Sequence, residues 1–130
     1  MSAFGLRIID GAVQAEPAAV LTILEAQLDD LSELLAGLSD EQALALHAPY
    51  TWSIKQVLAH LTDCERVFGY RALRLARNDA TPLPGFDDNA YMRYSAPNCW
   101  PITELLAEFD LTRRSHLLML RHLEEDAWLR

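Results

Sequence analysis

From Ser53 to Arg77 the chain runs without a proline, and apolar side chains recur at Ile54, Val57, Leu58, Leu61, Phe68, Ala72 and Leu75. That spacing predicts one amphipathic helix of about seven turns, reaching Arg77 or Asn78. Its start is written in the sequence. Ser53 can accept from the backbone of the first turn, and Gln56, three residues on, can return the bond. A long helix with one apolar side needs other elements to cover it, so this segment points to a helical fold.

Two more segments of the same kind supply the cover. Pro17 suits a first helical turn, and Val20, Leu21, Leu24, Leu28, Leu31, Leu34 and Leu35 follow at helical spacing. Asp29, Asp30 and Glu33 fall on the outer side, and Gly37 ends the run. Pro101 opens the third long helix, with Ile102, Leu105, Leu106, Phe109, Leu117, Leu120 and Leu123 on its stripe and the acidic run Glu124-Glu125-Asp126 at its end. A short helix is expected after Ser39, capped with Gln42, and a helical turn around Asp87–Met92. The connector 78–101 carries Pro82, Pro84, Gly85, Pro97 and Pro101; one this long is expected to be functional or to cross a bundle end. Residues 1–15 read as an N-terminal extension in which Leu6, Ile8 and Ile9 form a turn or short strand. Residues 16–130 read as one all-α, up-down helical bundle with three long helices.

Of the 130 residues, 19 are acidic and 11 basic, a net charge of −8 that disfavours nucleic acid. The bases at Arg66, Arg71, Arg74 and Arg77 read as a solvated helix face. No apolar run approaches the roughly 18 residues of a membrane span, and the N-terminus has no signal-peptide pattern. Cys64 and Cys99 do not form a CxxC. A cytoplasmic location with reduced thiols is the expectation.

No phosphate loop, nucleophile elbow or HExxH occurs, so chemistry would rest on His60 and its neighbours. Asp63 and Cys64 follow at three and four residues and can reach the same side of the helix. All three side chains can ligate zinc or nickel, although a single buried histidine is more often a hydrogen-bonded core residue. His116 falls on the core stripe of the third helix and reads as a core or rim histidine, with a meeting with His60 across the bundle as the alternative. His122 reads as a helix C-terminal histidine, His47 as a solvated loop residue and Trp52 as a hydrophobic staple or plug at the bundle end. Tyr70 and Arg71 read as structural, with a cavity lining as the alternative.

Taken together, the run Thr51-Trp52-Ser53-Ile54-Lys55-Gln56-Val57-Leu58-Ala59-His60-Leu61 and the loop Thr81-Pro82-Leu83-Pro84-Gly85-Phe86-Asp87 resemble the DinB-like superfamily over roughly residues 18–130. The resemblance implies a four-helix bundle with a divalent metal, zinc or nickel, at one end. It implies that His60 is one of three histidine ligands, the other two being an HxxxH pair on a fourth helix. It also implies a metal-dependent hydrolase or a thiol-S-transferase working with bacillithiol, mycothiol or glutathione. No HxxxH occurs in the 130 residues, and the third long helix ends close to Arg130. The expectation is therefore a piece of a longer chain, a wall supplied by a second subunit, or a short form without the family's chemistry. Leu58, Leu61, Phe109 and Leu117 are expected to face an open groove. Such a groove predicts self-association, with a homodimer as the simplest closed form, or a non-catalytic partner-binding role.

Overall fold

A computed structural model describes residues 6–9 and 12–130, with side chains from residue 16 onward. Among the described residues the regular structure is helical apart from two N-terminal strands, β1 (Leu6–Ile9) and β2 (Ala12–Ala15), which pair antiparallel. Of the turn or short strand expected around Leu6, Ile8 and Ile9, the structure has the strand, with a partner that sequence alternation did not reveal.

Three long helices follow at the expected places: α1 (Pro17–Leu35), α3 (Ile54–Ala76) and α5 (Ile102–Arg121). Two short ones, α2 (Asp40–Leu44) and α4 (Asp88–Tyr94), lie between them. Both expected capping boxes are closed in both directions, at Ser39 with Gln42 and at Ser53 with Gln56. Gly37 adopts φ +76°, the left-handed region that only glycine enters without a steric cost. α5 stops at Arg121, with His122 as its C-cap, so the acidic run lies beyond the helix. There Glu125–Leu129 forms a 3-10 turn packed on α3.

α5 is the central element, packed against both α3 and α1. The core joins Leu28, Ala43, Leu58, Ile102, Leu105, Phe109 and Leu117. A polar knot closes one end. Lys55, almost fully buried, donates to the Trp100 carbonyl at 2.6 Å and pairs with Asp40 at 2.7 Å, while Asp40 accepts from the Ile102 amide at 2.8 Å. Asp40 therefore serves as the missing cap of α5. Ser53 adds a 2.8 Å bond to Asn98. At the other end the connector is pinned to α3: Arg71 donates to the Pro84 carbonyl, and Arg74 donates to the Thr81 carbonyl and pairs with Asp79. Arg66 pairs with Glu108 of α5. Arg71 and Arg74 are thus tethers to the connector, whereas Arg66 and Arg77 are exposed, as expected for a solvated face. The Tyr70 ring is half exposed and its hydroxyl accepts from Arg74.

Candidate functional site

α1 and α3 diverge above α5 and leave a groove of about 470 Å³. Its walls are Leu31 and Leu34 on one side and Leu61, Cys64 and Phe68 on the other; Phe109 and Arg113 form the floor. Leu34 is 77% exposed and Phe68 57% exposed, values unusual for large apolar side chains that face one another. Two residues expected here are elsewhere. Leu58 and Leu117 are sealed in the core with Leu28 and Ala43, because α5 packs closely enough on α3 to cover them. Leu61 and Phe109 do line the groove, and α1 contributes the rest of the apolar surface.

One margin of the groove is charged and buried. Arg113, 9% exposed, donates to Gln27 at 2.9 Å and to the Leu24 carbonyl at 3.2 Å on α1, and pairs with Glu65 on α3 at 2.8 Å. The second oxygen of Glu65 meets His116 Nδ1 at 3.0 Å. Burial alone would raise the Glu65 carboxyl, but the bonds from Arg113 and His116 outweigh it and hold it below the ordinary carboxylate range. His116 lies flat on Gly69, where a Cβ would come within 2.1 Å of ring atoms Cε1 and Nε2. The absence of a side chain at Gly69 is what lets α5 bring His116 so close to α3.

The other sequence-predicted residue, His60, is at a different level. Gly69 is nine residues along α3 from His60, about 13 Å of helix rise. The two histidines are not brought together. The partner of His60 is Cys64, with Sγ 3.5 Å from Nε2, and the ring packs on Trp52 at a centroid distance of 5.1 Å. Trp52, half-buried, also lines a second apolar hollow at the bundle end with Tyr50, His47, Ile54 and Val57. The Cys64 thiol is pushed up by burial and by the charges of Asp63 and Asp88. Asp63, raised by burial, lies 3.8 Å from Arg66. Both cysteines are free.

Glu65, Arg113, Gln27 and Gly69 were not singled out from the sequence, although a signal was there. Arg113 sits four residues after Phe109 and four before Leu117, on the core stripe. Glu65 likewise falls four residues after Leu61 and seven after Leu58 on α3. One opposite charge on the buried side of each of two helices predicts a buried pair.

Residues 23–130 match the sequence model of the DinB superfamily. The chain belongs to the DinB superfamily. The match takes in α1 from its second turn, the His60 helix, the connector, α5 and the last turn. Comparison with curated proteins and with solved structures finds no match.

The divalent ion that DinB kinship implies can be tested against the donors present. A zinc site takes three or four protein ligands. Among the described residues no three His, Cys, Asp or Glu side chains converge. His60 and Cys64 are two donors, and His116 is committed to Glu65. Within one chain the described residues do not make up the superfamily's three-histidine set. No helix among the described residues is long and apolar enough to cross a membrane.

Proposed function

We propose that this DinB-superfamily chain is a self-associating helical module in which α3 of a second copy seats in the groove between α1 and α3. The observation that carries the reading is the pair of facing apolar rows, half-buried at Leu31 and exposed at Leu34, Leu61 and Phe68. Leu31 and Leu34 lie on α1, and Leu61 and Phe68 on α3. Fully burying each such side chain contributes about 1.5–3 kcal/mol. The arrangement is self-complementary because α3 is itself one wall of the groove. When α3 of one copy enters the groove of another, the same two-fold operation places the partner's α3 in the first groove. The helices then run α1, partner α3, α3, partner α1, a closed layer with no open groove left. The setting we propose is the cytoplasm, where both thiols stay reduced.

Sedimentation analysis tests this. The chain is expected to be a dimer at micromolar concentration. Leu34→Glu combined with Phe68→Glu should give monomers of unchanged helicity, since both side chains are exposed in the single chain. A wild-type chain that is monomeric over the whole concentration range sinks the reading.

A second reading, a divalent-metal-dependent hydrolase or thiol-S-transferase, is favoured by one observation: His60 and Cys64 stand together beside a groove of small-molecule size. It needs donors that the single chain does not bring together. Thiol-transfer activity lost in His60→Ala with the fold retained would support it; no bound zinc or nickel after supplementation counts against it.

A further inference from the structure

The two walls of the groove carry opposite charge. α1 holds Glu25, Asp29, Asp30 and Glu33 and no basic residue, whereas α3 holds Lys55, Arg66, Arg71 and Arg74 against Asp63 and Glu65. Several of these charges are paired with other elements of the chain: Glu25 with Arg121, Arg66 with Glu108, Arg74 with Asp79 and Lys55 with Asp40. Two that flank the groove have no opposite charge. The Asp30 carboxylate lines the groove and has no hydrogen-bond or ionic partner among the described residues. Arg71 stands over the ring of Phe68 on the opposite wall, 5.2 Å from its centroid, and its hydrogen bond goes to the Pro84 carbonyl at 3.0 Å. That bond engages one of the five N–H donors of a guanidinium and neutralises no charge.

We propose that Asp30 of each copy pairs with the partner's Arg71, so that two symmetric ion pairs flank the apolar seam and select α3 of a second copy as the occupant of the groove. The inference rests on the self-association reading, in which α3 of each copy lies along α1 of the other. An interface about a two-fold axis is self-complementary: where one residue meets a second, the second also meets the first. The acidic wall then meets the basic helix twice, and each of the two uncompensated charges gains an opposite one.

The charges supply what the apolar rows lack. Leu31, Leu34, Leu61 and Phe68 would accept any apolar helix of the right width, so they do not choose between α1 and α3 of the partner. Seating the partner's α1 would bring an all-acidic helix against Asp30, and like charges facing across an interface are disfavoured. Seating α3 brings an excess of arginine and lysine instead. Each copy carries a net charge of −8, so two copies repel at a distance, and a local pairing of opposite charges works against that repulsion where the surfaces meet.

The test is sedimentation of the full chain, of Asp30→Arg, of Arg71→Asp and of an equal mixture of the two variants, with helical circular dichroism read on each. Either reversal alone sets like charges together at both symmetric positions and should weaken dimerisation about tenfold or more. The mixture should restore dimers made of one copy of each, because each variant offers the charge that the other lacks. Asp30→Arg also separates the pair from a general effect of net charge. It makes each copy less negative, so general repulsion would strengthen association where the pair weakens it. Variants that dimerise as well as wild type, or an Asp30→Arg chain that dimerises better, overturn the pair and leave self-association standing. Single reversals that weaken the dimer without rescue in the mixture overturn it as well, because the charges then act within one chain. A wild-type chain that stays monomeric overturns self-association and the pair with it.

Discussion

Gly69→Ala is ordinarily a stabilising change inside a helix, worth about 1 kcal/mol from helix propensity. Here the sign should reverse. The new methyl would lie 2.1 Å from Cε1 and Nε2 of His116 and 2.6 Å from Cδ2, well inside any tolerable contact. The imidazole cannot swing away freely, because Nδ1 is bonded to Glu65, which is itself held by Arg113. Overpacking of this kind costs about 1–3 kcal/mol, and losing the bond to Glu65 costs about 1 kcal/mol more. Set against the helix gain, the net loss is about 1–3 kcal/mol, several degrees in Tm for a domain of this size. The second arm of the cycle isolates the cause. In a His116→Ala background the obstruction is gone, and Gly69→Ala should then raise stability by about 0.5–1 kcal/mol. Urea unfolding of the four proteins measures both numbers. If Gly69→Ala stabilises the chain that still carries His116, the close packing of α5 on α3 at this level is refuted.

Two further outcomes concern the buried charges. Glu65 has a carboxyl held below its ordinary value of 4.5, so its contribution is present above that pH and lost as pH falls through the lower folded value. Wild type minus Glu65→Gln, followed by urea midpoint, should therefore be flat near neutrality and shrink below about pH 4.5. Arg113→Met alone leaves Glu65 buried without its strongest partner and should cost about 3–5 kcal/mol, whereas Glu65→Leu with Arg113→Met should recover most of that loss.

The helices were legible because their signals are local. The Ser39 and Ser53 boxes and the apolar spacing act within a turn or two, and the structure places helix starts where those residues put them. What escaped depended on distant partners. Asp40 looked like part of a first turn, yet it caps α5 across 62 positions of sequence. Arg71 and Arg74 looked solvated because nothing in the spacing on α3 shows that the connector returns to it. His116 was recognised as a core or rim histidine of the third helix, but its partner Glu65 was not seen. Meeting His60 requires a particular sliding register of α5 along α3, and periodicity fixes the face of a helix without fixing its register. Gly69 sets that register by admitting His116 at one level of α3.

The same register explains why the groove stays open. Two apolar walls with nothing between them should close, because a void forfeits contacts on both sides. Arg113 stands across the base of this one. Its guanidinium reaches Leu24 and Gln27 on α1 and Glu65 on α3, so it ties both walls to α5 and keeps them apart. A planar group with five donors suits that role, since it bonds in two directions without bending. Lysine at the same place would offer one point charge and could not span both walls. The buried ion pair is a costly element in a small domain, and hydrophobic side chains of similar volume would serve stability as well. What they would not do is hold α1 and α3 at a fixed separation. The cluster is therefore better understood as the frame of the groove than as a source of stability, and under the proposed self-association the walls it holds apart, Leu34, Leu61 and Phe68, are what a second copy would cover.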